Sequence, residues 1–279
     1  MKRDKITEII KNEIDSLINS FINEGIDFDP MTKTVAYNPS HEENVDTSLD
    51  NNPTMDDDIV PNVKVWSIFK RKRGLRGDGN PLVYALKGEG GWTFRSQEDA
   101  EAIERQFHLV AEKFATMYPI GITIIIPSGN ALNKHIAEVV MSKSKNAELV
   151  EGVICKMTTE EVDEIVLDFN SEFRKHYKDD FNAKYYELGR YLDVMDKERL
   201  GTFSRHFIKD PEMRNVLDMT LKVSEDKFAE FAKKINGQHI LLVDDTISRG
   251  QTITNACRIM MESYAPKSIT VLTLMSKLT

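Results

Sequence analysis

The chain has 279 residues, 41% of them hydrophobic, which is enough for one large domain or two small ones with a sizeable core. It carries 45 acidic against 37 basic side chains, a net charge of −8, which argues against bulk nucleic-acid binding, since that depends on phosphate neutralisation by Lys and Arg. Two cysteines, Cys155 and Cys257, exclude a disulfide framework or a zinc site, and with no long apolar run or secretory signal the expectation is a reducing, cytoplasmic compartment with no membrane partner.

Residues 4 to 23 read as an amphipathic helix, with Ile6, Ile9, Ile10, Ile14, Leu17, Ile18 and Phe21 at helical spacing. Residues 1–36 are therefore taken as an N-terminal helical region. Residues 37–62 differ in composition. Glu42, Glu43, Asp46, Asp50, Asp56, Asp57 and Asp58 occur with no Lys or Arg between Asn38 and Asn62, among Asn, Ser, Thr and Pro. The expectation is a solvated, poorly ordered linker, with Asp56–Asp58 read as a plain acidic loop rather than a cation site. Residues 63–95 read as a small β unit of hairpins punctuated by Gly and Pro. Its strands are expected near Val63–Phe69, Leu82–Leu86 and Trp92–Phe94, around a basic turn at Lys70–Arg73.

Ser96 is the expected N-cap of a helix, with Asp99 three residues on. The helix runs to Met117 or Tyr118, and Pro119 stops it. Gly121 to Ile126 is the most apolar strand, suited to the centre of a parallel sheet. It runs into Pro127-Ser128-Gly129-Asn130 and a helix from Ala131 to Met141. The backbone N–H groups of Ser128, Gly129 and Asn130 can cradle an anion there. A short strand is expected over 152–156, with helices through 158–200 that form an insertion in the core. The aromatics of that stretch, Phe173 to Tyr191, read as its packing face. Leu200 to Arg214 is a turn-rich segment carrying Arg205, His206, Lys209 and Arg214. A strand over 216–223 and a helix over 224–235 follow.

The most informative stretch is Ile240 to Thr252. Ile240-Leu241-Leu242-Val243 read as a buried parallel strand. Asp244 and Asp245 follow, then a loop of Thr246, Ile247, Ser248, Arg249, Gly250, Gln251 and Thr252, and a helix from about Thr252 to Tyr264. A helix N-terminus offers N–H groups and partial positive charge to a phosphate. The glycine permits close approach, and the hydroxyls can donate. The two acids stand where open α/β sheets place their ligands. They repel a bare phosphate, so they suit sugar hydroxyls or a bound cation. A last strand is expected over 268–274.

This stretch resembles the phosphoribosyl-pyrophosphate (PRPP) signature of type I phosphoribosyltransferases: an apolar strand, two acids, a Thr/Ser/Gly loop and a helix. It departs from that signature at Thr246, where the family has an aliphatic residue, and at Arg249, where it has a small hydroxyl one. The resemblance implies an α/β fold with a mostly parallel central sheet flanked by helices, the core occupying residues 96–279. It implies that Thr246 to Thr252 hold the 5′-phosphate and that Asp244 and Asp245 take the ribose hydroxyls. Ser128, Gly129 and Asn130 then match the pyrophosphate loop in place and character, and Arg205 and Lys209 lie in the interval where the family carries a closing basic loop. No residue is assigned to metal directly, since Mg²⁺ is expected through PRPP and water. The implied reaction is phosphoribosyl transfer to a nitrogenous small-molecule acceptor with release of pyrophosphate. A base-reading hood is expected upstream of the core, with Trp66, Phe69, Trp92 and Phe94 available for stacking. A homodimer is a family-level expectation. The alternative is a non-catalytic PRPP or nucleotide sensor on the same fold. A P-loop protein is excluded by the absence of a Gly-x4-Gly-Lys-Ser/Thr stretch.

Overall fold

The computed structural model of the protein describes residues 24–278 except 42, 57, 74–78, 199, 205–206 and 218–219. The helix expected over 4–23, and with it Arg205 and His206, lies outside the described residues. Twelve strands and nine α-helices are found among the described residues. The strands are β1 (Gly25–Asp29), β2 (Thr34–Asn38), β3 (Val45–Asp46), β4 (Thr54–Met55), β5 (Lys64–Arg71), β6 (Thr93–Phe94), β7 (Ile122–Ile125), β8 (Glu148–Leu149), β9 (Ile154–Lys156), β10 (Leu221–Val223), β11 (His239–Thr246) and β12 (Ser268–Met275). The helices are α1 (Asn80–Lys87), α2 (Gln97–Met117), α3 (Leu132–Lys143), α4 (Thr159–Leu167), α5 (Glu172–Tyr177), α6 (Phe181–Lys197), α7 (Pro211–Val216), α8 (Phe228–Ile235) and α9 (Gln251–Ser263).

The architecture is mixed α/β, a large sheet of mostly parallel strands flanked by helices. The strand order is β6-β2-β1-β3-β5-β12-β11-β7-β8, with β4 also on β5. The run β5-β12-β11-β7-β8 is parallel throughout. The apolar residues of β11 alternate between its two faces. Leu241 and Val243 join Phe107 and Phe114 of α2 and Ile136 and Val140 of α3 in one core. Ile240 and Leu242 join Phe231 of α8 and Ile253, Ala256 and Met260 of α9 in the other. The sheet is thus covered on both sides, which is why its central strands read as continuous apolar runs.

The helical insertion has its own core. Val162, Phe173, Phe181, Leu188, Leu192 and Met195 pack together with Phe203, Ile208, Met213 and Leu217. Phe173, Tyr177, Phe181, Tyr185 and Tyr191 are therefore packing residues, as their spacing implies, whereas Tyr186 is exposed. The two-stranded antiparallel ribbon β9–β10 joins it to the sheet, Ile154 standing opposite Val223 and Lys156 opposite Leu221. The strand expected over 216–223 is shorter: 211–216 is helical, because Asp210 caps it and Pro211 opens it.

Three expectations upstream are corrected. The end of the 1–36 region, read as helical, together with residues 37 and 38, forms the antiparallel hairpin of β1 and β2. Residues 37–62 are not a solvated linker, since Asn44, Asp46, Thr47, Ser48 and Asn52 are all buried. The polarity around Asp46 is met internally, although Asn44 Oδ1 and Thr47 Oγ1 have no hydrogen-bond partner among the described residues. Asp46 Oδ1 accepts from the Ser48 N–H at 3.0 Å and Oδ2 from Asn51 Nδ2 at 2.8 Å, while Asn52 Nδ2 donates to Asp46 O at 2.9 Å and Ser48 O at 2.8 Å. Loop-forming residues that bond each other can be buried at little cost. Residues 63–95 are not a separate hairpin unit either. β5 lies within the central sheet against β12. Leu82–Leu86 belongs to α1, where Pro81 in the first turn and the left-handed Gly88 at the C-cap are helix signals. Trp66 and Phe69 are buried, and Trp92 and Phe94 pack against the same core, so none of the four forms a stacking hood.

Candidate functional site

β7 and β11 are adjacent, and their chains leave in opposite directions. β7 leads through α3 to β8 on one side, whereas β11 leads through α9 to β12 on the other. Because α3 and α9 cover opposite faces, the loops after β7 and β11 part at a topological switch point. Open α/β sheets form their ligand crevice at such a point. Two connected cavities lie there. One, of about 380 Å³, is lined by Asp244, Thr246 and Ser248 to Thr252, with Pro211 and Arg214 opposite. The other, of about 500 Å³, is lined by Pro127 to Asn130, Asp244 and Asp245, with Lys87, Lys156 and Phe203 among its other walls. Asp244, Thr246, Ser248 and Thr252 border both. The two loops singled out from sequence, 120 residues apart, therefore face one continuous space.

The loop after β11 is held from behind. The Ile247 side chain is fully buried. Its N–H donates to Met275 O at 3.1 Å, and its carbonyl accepts from Arg71 Nη2 at 2.6 Å. Ile247 thus anchors the loop, and its N–H is not among the donors open to a phosphate. Arg71 is itself buried, with Nη1 on Asn80 Oδ1 at 2.6 Å. Ser248 and Arg249 are exposed at the tip. Gly250 has φ 77°, and an added Cβ would stand 2.6 Å from Ile59 Cγ2. The glycine is thus required by a left-handed turn and by the packing of the 37–62 segment under the loop.

Asp244 is buried at the end of β11. Its Oδ1 accepts from the Asp245 N–H at 2.9 Å and from Asn133 Nδ2 at 3.2 Å. Asn133, in the first turn of α3, also donates to Ile126 O at 2.9 Å, so one buried amide ties the ends of β7 and β11 together. Burial, and secondarily the charge of Asp245, push the Asp244 carboxyl up to about 7, against the two N–H donors and Lys87. Asp245 is partly accessible and pairs with Lys87, Oδ2 to Nζ at 2.7 Å.

After β7, Ser128 and Asn130 are half-buried and Gly129 is exposed. Asn130 Oδ1 accepts from the Leu132 N–H at 2.9 Å, an Asx turn that leads into α3, whose N-cap is Ala131. Of the basic residues expected to approach from 200–214, Lys209 is exposed and is not among the residues lining either cavity, while Arg214 lines the first. Lys87, Asn133 and Lys156 escaped the sequence reading. Lys87 lies just past the stretch read as a strand, Leu82–Leu86, and Asn133 has no signal beyond its place in the first turn of a helix.

Residues 208–279 match the family model of the phosphoribosyl transferase domain. The resemblance carried by Ile240–Thr252 is therefore shown for this part of the chain, which comprises α7 to β12. β7 and its loop lie outside the matched residues, and it is the sheet that sets them beside β11. Over 80 residues the chain is 34% identical to the bifunctional protein PyrR of Pseudomonas paraeruginosa (strain DSM 24068 / PA7), covering 29% of this chain and 44% of that protein. It is 34% identical over 79 residues to the protein of the same name from Pseudomonas entomophila (strain L48), covering 28% and 43%, and 31% identical over 83 residues to that from Pseudomonas putida (strain W619), covering 30% and 45%. The chain thus spans less than half the length of these curated relatives. Among the described residues no helix is long and apolar enough to cross a membrane.

Proposed function

We propose that the protein binds PRPP and transfers its phosphoribosyl group to a nitrogenous small-molecule acceptor of the nucleobase class. The observation that carries this reading is the meeting of two helix-start loops around Asp244 and Asp245 in one cavity. A molecule with a phosphate at one end, a diol in the middle and a pyrophosphate at the other fits that order of groups. In this reading the backbone and hydroxyls of Thr246, Ser248, Gly250, Gln251 and Thr252, with the Arg249 guanidinium, hold the 5′-phosphate. Asp244 and Asp245 accept from the ribose hydroxyls, and the N–H groups of Ser128, Gly129 and Asn130 take the pyrophosphate. The acceptor nitrogen forms its bond to C1 as the C1–O bond breaks. The electron pair leaves on pyrophosphate, and the nitrogen's proton passes to solvent. Catalysis then rests on positioning and on stabilising the departing charge.

In this reading Mg²⁺ is held through PRPP and water beside Asp244 and Asp245. Two carboxylates beside a polar cavity fit a hard ion that keeps its waters and substrate oxygens, which would offset pyrophosphate charge. The non-catalytic reading draws on one observation: the aromatics expected in a hood are packed in the core instead. The two readings part on an assay of pyrophosphate release from PRPP and Mg²⁺ across a panel of nucleobases. Release with one base supports transfer, whereas PRPP binding without release from any base supports a sensor. Asp244→Asn with Asp245→Asn is expected to abolish Mg²⁺-dependent PRPP binding in calorimetry; parental affinity in the double variant would overturn the site.

A further inference from the structure

The pyrophosphate end of the cavity has a charge problem. Asp244, Asp245 and Glu89 all line it, and backbone N–H groups carry only partial charge. A leaving group with several negative charges needs a full cation nearby. Lys209 does not line the cavity. Lys156 and Lys87 do, and Lys87 is paired with a site acid: it is the last residue of α1, which the left-handed Gly88 terminates. Its side chain is only 14% exposed, and Nζ lies 2.7 Å from Asp245 Oδ2. An ammonium has three donors, of which Asp245 takes one.

From this geometry, and resting on the PRPP reading above, we infer that Lys87 is a pyrophosphate-binding residue. It holds Asp245 when the cavity is empty and donates to the pyrophosphate once Asp245 takes a ribose hydroxyl. The pairing has two consequences. Asp245 is held at the rim of the cavity before the sugar arrives. The cation is kept at the pyrophosphate end by a partner that the substrate itself occupies, so little rearrangement separates the two states.

The test is calorimetry on the full chain with Mg²⁺, using PRPP, inorganic pyrophosphate and ribose 5-phosphate as separate probes. Lys87→Met is expected to weaken PRPP and pyrophosphate about tenfold or more, the scale of a lost charge-assisted hydrogen bond. Ribose 5-phosphate, which reaches the 246–252 loop without a pyrophosphate, should keep its affinity within about threefold, a change worth well under one charged hydrogen bond. Lys87→Arg, which retains the cation, should recover most of the loss, and its thermal midpoint controls for folding. Parental pyrophosphate affinity in Lys87→Met overturns the inference. So does equal weakening of all three probes, which would leave Lys87 a mere brace for Asp245. If the parent chain binds neither PRPP nor pyrophosphate, it is the underlying PRPP reading that falls.

Discussion

At the scale of single residues the site turns on a buried acid beside a paired one. Asp244 has its folded-state pKa raised to about 7, first by burial and then by Asp245. A carboxyl whose folded pKa exceeds its unfolded value of about 3.9 stabilises the fold most when protonated. That contribution is complete below about pH 4 and is lost as the pH rises through about 7. Asp244→Asn cannot titrate, and its amide oxygen can still accept from Asp245 N–H. The stability of this variant relative to the parent should therefore rise between pH 5 and pH 8 by on the order of 2 kcal/mol. Urea unfolding at the two pH values checks this, and a pH-independent difference would mean that Asp244 titrates normally. The adjacency of the two acids was plain in the sequence. Their inequality was not, because it comes from the burial of Asp244 among segments far apart in the chain, Asn133 lying 111 positions away, while Asp245 meets a lysine on another helix.

At the scale of elements, the loop after β11 is braced by other segments that fill the space beneath it. Ile247 is pinned by Met275 and Arg71, and Gly250 sits against Ile59. Gly250→Ala should therefore cost about 1–3 kcal/mol through backbone strain and the contact with Ile59. Adding Ile59→Ala should recover only part of that loss in thermal melts, since it relieves the contact but not the φ. Full recovery would show that the left-handed turn is not needed. The strand, the glycine and the helix start were legible from Ile240 to Thr252, because a period-2 apolar run and a turn residue are local signals. The bracing was not. Ile59 belongs to a stretch whose Asn, Ser and Asp content reads as solvated loop, and composition does not show that such side chains have found one another.

At the scale of the whole molecule, the helical insertion packs around its own core and meets the sheet through the β9–β10 ribbon. Leu188 is fully buried in it. Leu188→Ala should cost about 3 kcal/mol, and hydrogen exchange should lose protection across α4 to α7 while β7, β11 and β12 keep theirs. Equal loss in the central strands would show a single cooperative unit. The insertion matters to the site because Phe203, Pro211 and Arg214 bring it to the cavity walls, a position expected of residues 63–95.

What the sequence determined by itself is the local pattern: two strand–loop–helix units, one of them bearing adjacent acids, in an α/β chain. Such features depend on residues close in sequence, whose spacing sets which face or end of an element they occupy. Only the tertiary structure decided which elements are neighbours. It put β5 inside the sheet rather than in a hood, set Ile59 beneath the loop after β11, and brought Lys87 to Asp245. Each of these depends on contacts between segments far apart in the chain, and a short apolar run or a lone lysine carries the same local pattern whichever partner it finally meets.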